Sequence, residues 1–514
     1  MKTRRLLILA LIFSAFCMNV MAVDPVKDTY SYPQRDGKYT FTSNWLYSRI
    51  TETYNITPVP QTTPPTPPNF LLSYSENGSM ASTVRGAAFW NGKLLFSSRN
   101  LNADAVTIPA IIIMDAKTGV VEKTLVLNTP GFAAIQNPCN YITLDDANNV
   151  LVSNVKLVNT GILQIWKIDM ETGNGTKILE QGAGSYCAPD RIDAFGVLGD
   201  VNGTATIWAT NSQVTTPASA GIIFRWHVAD GVVNQDEPDV IMMDMSAGFP
   251  ILYGTSGPAT LAGGSATVFP IADDLVYVDG AYIYPTLMQV TGSADDGFTA
   301  QAVDGFFELD NPSSGAVPSI DTTTNPEKEF GMAYEHNWFV QFSIENDHFF
   351  GMPIRHHGGG TSGAPQQSFR LFKYKDENRI TREAEILWTF PEEGLAANDA
   401  AHNGNDYFFA QVLADVQGKE ANIYIYSGGN GIGSYTLKVD GGNNIDLPNT
   451  SSITIFGGKG EIKFSEAVSA QVFSITGQLV AKSAGASIPV AQGIYVVKAI
   501  ASNGEAAVKK VIVQ

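Results

Sequence analysis

Basic residues are scarce in this sequence. The 32 Lys and Arg are outnumbered by 50 Asp and Glu, which gives a formal net charge of -18, and only 16% of all residues are charged. Nucleic acids and anionic membrane surfaces are bound through basic patches, so this balance argues against both as partners. The 48 Gly and 26 Pro indicate a loop-rich chain, and a hydrophobic content of 44% can supply a large core.

Long apolar runs are also rare, and the most marked one lies at the N-terminus. We predict a signal peptide over 1–22, with basic Lys2, Arg4 and Arg5, an apolar run from Leu6 to Phe16, and cleavage after Ala22. The alternative is a lipoprotein acylated on Cys17, but bulky Phe16 precedes that cysteine where a small residue is expected. Cleavage removes three cations, so the net charge becomes -18 - 3 = -21. No later stretch reaches the roughly 18 apolar residues of a membrane span, and we expect an exported chain without a transmembrane segment.

Cysteine is scarce too, and only Cys139 and Cys187 remain after cleavage. Each lies just before the predicted first strand of successive repeats. Two alternatives fit this placement. One is a disulfide across neighbouring sheets, which would contribute about 4 kcal/mol in the chain-entropy model. The other is two buried, reduced thiols. Cys-x-x-Cys and His-Cys spacings are missing, so we expect no zinc site, and we predict no other metal or cofactor.

Helical spacing of apolar residues is almost absent, and short β-rich runs recur instead. The clearest four runs lie at 84–89, 94–98, 109–114 and 120–127, separated by Asn91-Gly92, a polar loop and Lys117-Thr118-Gly119. Asn-Gly is typical of a type I′ hairpin, because both central residues of that turn need φ > 0. This segment therefore predicts a four-stranded antiparallel meander.

The same unit recurs along the chain. The pattern Asp-x-x-Thr-Gly begins at Asp115 and again at Asp169, and weaker copies follow. The units fall at roughly 84–127, 140–180, 190–243, 265–309, 330–390 and 395–439. Four-stranded repeats of this length predict a β-propeller with six or seven blades. Sandwiches in tandem are the alternative all-β arrangement, but they do not explain the recurrent hairpins.

The repeats are flanked by segments of different composition. Residues 23–69 contain one predicted strand, from Thr40 to Arg49, and a Pro-rich strap over 58–68 that favours an extended conformation. We expect the strand to complete the ring at the seam between the first and last sheets; a free-standing module is the alternative. The propeller then covers 70–439, and a turn-rich linker covers 440–450.

The last segment, 451–514, alternates apolar and polar residues around Gly hairpins, which predicts a small antiparallel β-sandwich. Three pieces occur here in order: Val472-Phe-Ser-Ile-Thr-Gly-Gln-Leu-Val480, Gly493-Ile-Tyr-Val-Val-Lys498 and Lys509-Lys-Val-Ile-Val513. They resemble the C-terminal sorting domain of the type IX (Por) secretion system of Bacteroidetes. That resemblance implies passage across the outer membrane, interaction with the secretion machinery and attachment to the cell surface. Gln514 stands where many members of the family have a basic residue, and an ordinary β-domain is the alternative. The main domain is similar to exported β-propellers of the same bacterial group, a resemblance that points to no particular activity.

Familiar catalytic motifs are missing as well. The chain has no Gly-x-Ser-x-Gly elbow, no His-Glu-x-x-His and no Gly-x-x-x-x-Gly-Lys-Ser/Thr phosphate loop. A glycosidase pair built from distant blades stays open, with Asp104, Asp190, Asp279 and Asp399 as candidate carboxylates.

The predicted ligand site lies in loops that share one face of the ring. Those loops join the second strand of a sheet to its third, or one sheet to the next, and their candidate ligand-binding residues are Arg99, Asn137, Asp190, Arg191, Arg355, His356 and Asp399. His356 and His357 are neighbours on an extended segment and point to opposite sides, which disfavours a metal site. Converging polar groups on a rigid scaffold are typical of binding sites. We therefore expect an exported, surface-associated propeller that binds a glycan, peptide or protein partner. The alternative is a glycan-active hydrolase or lyase, which requires two carboxylates about 5–10 Å apart.

Overall fold

A computed structural model gives the arrangement of most of the chain. It describes residues 31–48, 84–99, 108–132, 135, 137–157, 161–182, 185–187, 191–211, 221–244, 267–280, 283–305, 339–354, 368–375, 384–391, 394–395, 410–427, 431–439, 453–474, 479–502 and 506–513. Within these ranges the regular elements are β-strands, so the predicted all-β class is confirmed. Across the same ranges, no helix has the length and apolarity needed to cross a membrane. The predicted signal peptide and the Pro-rich strap at 58–68 lie outside the described residues.

The chain divides into two compact units: Met1–Arg35 with Thr40–Lys438, and Asp36–Tyr39 with Val439–Gln514. The first strand of the chain is β1 (Tyr39–Ser48). Sheet 1 consists of β2 (Val84–Trp90), β3 (Lys93–Ser98), β4 (Ala110–Asp115) and β5 (Val121–Val126). Sheet 2 consists of β6 (Tyr141–Leu144), β7 (Val150–Ser153), β8 (Leu163–Ile168) and β9 (Gly175–Gln181). Both are antiparallel meanders in chain order.

Sheets 3 and 4 continue the pattern. Sheet 3 contains β10 (Phe195–Gly199), β11 (Ala205–Thr210), β12 (Ile222–Ala229), the short β13 (Val232–Val233) and β14 (Asp239–Met243). Sheet 4 contains β15 (Thr267–Ala272), β16 (Leu275–Gly280), β17 (Ile283–Ser293) and β18 (Gly297–Gly305). Their outer strands β14 and β18 pair in parallel, which joins the two sheets into one of nine strands.

Sheets 5 and 6 complete the first unit. Sheet 5 contains β19 (Val340–Ile344), β20 (Asp347–Ile354), β21 (Ser368–Tyr374) and β22 (Glu385–Phe390). Sheet 6 contains β23 (Ala410–Gln417), β24 (Glu420–Ser427) and β25 (Gly431–Val439), with β1 as its fourth and outer strand. Each of the six predicted units thus contains one of these groups of strands, with β1 added to the sixth and the third and fourth joined in one nine-stranded sheet.

The sheets stack face to face because their inner strands are apolar on both sides. In β4, Ile111 and Ile113 enter a core shared with sheet 2, while Ile112 and Met114 enter a core shared with sheet 6. Side chains alternate between the two faces of a strand, so such a run must be covered on both. The outer strand β5, by contrast, is largely exposed.

The stacking passes through all six sheets and returns to the first. Most neighbouring sheets contact each other through a pair of aromatic rings. The ring centroids are 5.4 Å apart for Phe132 and Trp166, 5.6 Å for Tyr141 and Phe195, 4.9 Å for Tyr277 and Phe339, 4.9 Å for Phe390 and Tyr435, and 5.3 Å for Phe96 and Tyr426. Between sheets 3 and 4 the core is built around Trp208 and Val268. Sheet 6 therefore packs on sheet 1.

Strand β1 holds the seam between the last and first sheets. Asn44 Nδ2 donates to Ser434 Oγ (3.1 Å) and Thr436 Oγ1 (2.9 Å) in sheet 6. Trp45 Nε1 donates to Ala116 O (3.1 Å) in sheet 1, as does Tyr47 OH to Gly119 O (2.9 Å). The strand predicted at 40–49 therefore lies between the first and last sheets.

The Asp-x-x-Thr-Gly segments form the same turn in sheets 1 and 2. The Gly119 N–H donates to Asp115 O and the Gly173 N–H to Asp169 O, both at 2.8 Å, and the two glycines have φ of 69° and 74°. A Cβ on Gly119 would lie 2.7–3.0 Å from the Trp45 ring, and one on Gly173 would overlap the Val126 carbonyl oxygen. Each turn thus packs against the outer strand of the preceding sheet, and β1 takes that position for sheet 1.

A buried carboxylate joins sheets 2 and 3 at the end where the first strand turns into the second. Asp145 is 4% exposed, and its Oδ1 accepts the N–H groups of Ala147 (3.0 Å) and Asn149 (2.8 Å). Its Oδ2 accepts Asn149 Nδ2 (2.8 Å) and the Val201 N–H of sheet 3 (2.9 Å). One side chain therefore closes its own hairpin and holds the neighbouring one.

The second unit contains β26 (Ile455–Gly457), β27 (Glu461–Ser474), β28 (Leu479–Pro489), β29 (Gly493–Ala501) and β30 (Ala506–Val513). They form one five-stranded sheet in the order β26-β27-β29-β30, with β28 also paired to β27. Alternate residues of β27, among them Val468, Ala470 and Val472, enter an apolar core of this unit. The period-two pattern of the sequence is that of a sheet with one buried face.

Candidate functional site

Buried polar side chains collect at one end of the sheets of the first unit. In an antiparallel meander, the start of the first strand and the end of the second lie at the same end, which we call the polar end. The buried polar residues at or next to these positions are Arg85, Ser97, Ser98, Asn140, Ser153, Asn154, Lys156, Asp193, Thr210, Asn211, Thr267, Asp279, Gln411 and Ser427. Buried polar groups are costly unless they are hydrogen-bonded, so this end depends on specific polar contacts.

Four residues at this end form a hydrogen-bonded chain that links three sheets. Arg99, which follows β3, donates from Nε to Asn140 Oδ1 (2.8 Å) and also contacts this oxygen through a terminal nitrogen. Asn140, which precedes β6, donates from Nδ2 to Asp193 O (3.0 Å), two residues before β10. The Asp193 carboxylate in turn accepts Nε of Arg191 at 2.9 and 3.1 Å and a terminal nitrogen at 2.7 Å. Two predicted site residues, Arg99 and Arg191, are thereby brought into one array.

The pair of Arg191 and Asp193 is the electrostatic anchor of this array. Asp193 is fully buried, and the side chain of Arg191 is 17% exposed. The negative charge of Asp193 raises the pKa of Arg191, against the opposing effect of its burial. A planar guanidinium held at two points by a carboxylate has a fixed orientation, which sets the direction of its other N–H groups.

The backbone before sheet 2 adopts a rarely populated conformation. Asn137 and Cys139 have φ of 52° and 48°, a left-handed region that residues with a Cβ seldom occupy. The segment is held by hydrogen bonds from the Val155 N–H to Asn137 O (3.3 Å) and from the Asn140 N–H to Ser153 O (2.7 Å). Such strain persists only where surrounding contacts over-determine it, and here it places the Asn140 amide between Arg99 and Asp193.

Both cysteines are buried, free thiols, so the disulfide alternative does not describe this structure. Cys139 lies in the core between sheets 1 and 2, and Cys187 lies in the core between sheets 2 and 3. Cys139 Sγ donates to Ala110 O (3.4 Å), and Cys187 Sγ lies 3.5 Å from Ser185 Oγ. Cys139 precedes sheet 2 and Cys187 precedes sheet 3, so the whole of sheet 2 lies between the two thiols. Burial raises the pKa of the Cys139 thiol to about 12, outweighing a hydrogen bond from the Ser98 backbone.

Two asparagines that the sequence did not single out fix the second-to-third strand connections. Asn154 Oδ1 accepts the Gln164 N–H (2.8 Å), and its Nδ2 donates to Ile162 O (2.7 Å). Asn211 Oδ1 accepts the Ile222 N–H (3.0 Å). Each side chain thus ties the loop after a second strand to the start of the third, at the polar end of its sheet.

Asn140 and Asp193 were likewise missed as site residues, although a signal for them exists. They lie 53 residues apart, close to the spacing of the repeated Asp-x-x-Thr-Gly turn, and each stands just before the first strand of its sheet. Polar residues that recur at the repeat length at strand ends therefore point to this array.

The other predicted site residues are placed differently. Asn137 is half-buried beside Cys139, whereas Asp190, Arg355, His356 and Asp399 lie outside the described residues. Of the candidate carboxylates, Asp104 is outside them as well, and Asp279 is fully buried at the end of β16, opposite Thr267. Among the described side chains, no group of three or more His, Cys, Asp and Glu is placed to hold a metal ion.

Comparison with known proteins gives structural similarity only. The chain matches no protein-family model and no curated protein. It is similar to a DUF4623 family protein from Bacteroides eggerthii, with 12% identity, a TM-score of 0.47 and 72% of each chain covered. It is also similar to a protein of unknown function from Dyadobacter fermentans, with 10% identity, a TM-score of 0.36, and 70% of this chain and 95% of that chain covered. The N-terminal domain of Nup159 is another similar structure, with 9% identity, a TM-score of 0.32, and 81% of this chain and 89% of that chain covered.

Proposed function

We propose that the first unit is a six-bladed β-propeller whose polar end binds a glycan, peptide or protein partner. Support for the architecture comes from the packing of sheets 1 to 6 on one another, with sheet 6 returning to sheet 1. Strand β1 is the outer strand of the sixth blade, so that the ring is closed by the two ends of the unit. Full closure is a common solution for stacked four-stranded sheets.

The observation that supports a binding site most directly is the array of Arg99, Asn140, Asp193 and Arg191. Polar side chains from three separate sheets are held there in one hydrogen-bonded chain. The strained backbone at 137–139 carries a cost, which is understandable if the orientation of these groups is used.

A glycan and peptide array tests this proposal. The mature protein is compared with Arg99→Ala and with Lys123→Ala, a control that removes one positive charge from the exposed outer strand of the same sheet. We expect ligands of the wild type to be lost with Arg99→Ala and kept with Lys123→Ala. Ligands that bind all three proteins equally would place the site elsewhere, and release of cleaved glycan by the wild type would favour the hydrolase or lyase alternative.

We further propose that the protein is exported and displayed at the cell surface, with the second unit as its sorting domain. The N-terminal signal pattern and the three ordered C-terminal motifs support this, as does the separate core of the second unit. A chain ending at residue 450 keeps every strand of sheets 1 to 6, so it should fold but remain in the periplasm. Surface display of this truncated chain would contradict a sorting role.

A further inference from the structure

We propose that the second unit binds the surface of a membrane that carries anionic headgroups. The contact is made by the face of its sheet that lies opposite the apolar core. This inference goes beyond the two proposed functions and depends on neither, because it rests on the charge and exposure of this one face.

Charge is distributed unevenly along the chain. Residues 451–514 contain six Lys, three Glu and no Asp or Arg, which gives a formal charge of 6 - 3 = +3, whereas the rest of the sequence carries -18 - 3 = -21. From Ala467 to Gly504 there is no acidic residue, and the charged residues of that stretch are Lys482 and Lys498. The acidity that argues against an anionic partner for the whole chain therefore lies outside this part of the sequence.

Strand register brings the two lysines to one face of the sheet. Lys482 of β28 and Lys498 of β29 both pair with Gln471 of the intervening strand β27. The neighbours of Gln471 on β27, Ala470 and Val472, point into the core, so Gln471 and both lysines lie on the opposite face. Both lysines are exposed, and two strand spacings, about 10 Å, separate their backbones. We call this surface the lysine face.

The two charges are not compensated within the described part of the second unit. The ion pair found there joins Lys463 to Glu461 (3.0 Å) at the start of β27, and among the described residues neither Lys482 nor Lys498 has an acidic group within ion-pair distance. Like charges repel each other, so two uncompensated lysines on one surface favour an anionic partner.

Apolar side chains flank the lysines in the neighbouring rows of the sheet. In the row on one side, Phe473 pairs with Leu479 and Val496, and in the row on the other side Ser469 pairs with Ile500. Of the eleven large apolar side chains that are exposed among the described residues, four lie on β28 and β29 and are 39–49% exposed: Leu479, Val480, Ile494 and Ile500. Single exposed apolar residues are common, but such a group on one small sheet is typical of a binding surface.

The composition of the lysine face favours a membrane over a protein partner. Protein interfaces are enriched in aromatic residues, Met and Arg, and Lys is depleted in them. Here the charged residues are lysines, and the exposed apolar residues are aliphatic. Binding to a membrane surface uses this combination, because aliphatic side chains enter the boundary between headgroups and acyl chains while lysines reach the anionic headgroups. The long stem of lysine can lie along apolar surface and keep its charge in water.

Sedimentation with lipid vesicles tests this proposal on the mature full-length protein. One set of vesicles is phosphatidylcholine alone, and the other is phosphatidylcholine mixed with anionic phosphatidylglycerol. We expect tighter binding to the anionic vesicles, with a preference that falls as salt is raised. A lysine near an anionic membrane surface contributes a factor of about five. Replacing both Lys482 and Lys498 by Ala should therefore weaken binding to the anionic vesicles by about 30-fold.

The matched control is Lys419→Ala combined with Lys438→Ala. It removes two exposed lysines of sheet 6 that pair with Glu345 (3.3 Å) and Glu420 (2.6 Å), and it should bind vesicles as the wild type does. Leu479→Ser probes the apolar contribution. It should weaken binding to both kinds of vesicle by about fivefold, since this side chain is already half exposed. Circular dichroism shows whether each variant is folded.

Three results would overturn the proposal. The first is equal binding to both kinds of vesicle, or binding to neither. The second is a folded double variant at Lys482 and Lys498 that binds anionic vesicles as tightly as the wild type, because the charge would then act elsewhere. The third concerns soluble poly-L-glutamate, which serves as a mimic of an acidic protein. If it bound the wild type and the vesicles did not, the lysine face would be assigned to a protein partner instead.

Discussion

Replacement of Trp45 by Ala should open the seam of the first unit. The Trp45 ring is 1% exposed, lies in the core shared by sheets 6 and 1, and is 6.0 Å from the Tyr47 ring. Truncation of a buried Trp or Phe to Ala typically costs about 3–5 kcal/mol. The lost hydrogen bond to Ala116 O adds about 1 kcal/mol, so we expect a loss of about 5 kcal/mol. That is a large part of the roughly 5–15 kcal/mol by which proteins are stable.

Urea unfolding followed by tryptophan fluorescence and circular dichroism measures this loss. Trp45→Phe is the matched control, because it keeps an aromatic ring on Gly119 and removes the indole N–H, and we expect it to cost about 1–2 kcal/mol. Gly119→Ala attacks the same contact from sheet 1, since its φ of 69° and the nearby ring leave no room for a methyl group. If Trp45→Ala changed the free energy of unfolding by less than about 1 kcal/mol, β1 would not hold the seam.

Three further predictions concern single side chains. Cys139 and Cys187 should both resist a thiol reagent at pH 8 in the native protein and react fully in guanidinium. The reason is that both are buried and the pKa of Cys139 is raised to about 12. A native protein whose mass is two hydrogens lower than that calculated for free thiols, as in a disulfide, would refute this. Asp145→Ala should cost about 3 kcal/mol in urea unfolding because the buried Val201 N–H loses its acceptor, whereas exposed Glu171→Ala should change little. Hydrogen bonds from the Glu171 and Thr172 backbones lower the pKa of Asp169 from 3.8, so its stabilising contribution is present above about pH 4 and is lost as the pH falls through the lowered value. The Tm difference between wild type and Asp169→Ala should therefore shrink in acid, and a constant difference would contradict this.

Local signals predicted the strands and hairpins well. The Asn91-Gly92 turn has positive φ at both residues, as the sequence required, because a type I′ turn is set by its own two residues. The repeated turns at Asp115 and Asp169 were recognisable for the same reason. Strand order within each sheet followed from short connections, which place consecutive strands side by side.

Contacts between sheets could not be predicted in this way. The link from Arg99 to Asn140 spans 41 residues, and that from Asn140 to Asp193 spans 53. Both depend on how two sheets stack, and only the second leaves a trace in the sequence, because its 53-residue spacing is close to the repeat length. The cysteines show the same limit, since their similar positions in successive repeats place them in different cores.

The parallel pairing of β14 with β18 has a consequence for the protein in concentrated solution. Outer strands of stacked sheets carry unpaired N–H and C=O groups that can recruit strands from other molecules. Here the outer edges of sheets 3 and 4 satisfy each other through Ile241 and Phe298 and their neighbours, and Arg225 covers the junction between the Trp208 and Phe298 rings. Weakening this junction, for example with Arg225→Ala, would uncover two strand edges at once, and self-association into β-rich aggregates is the expected result.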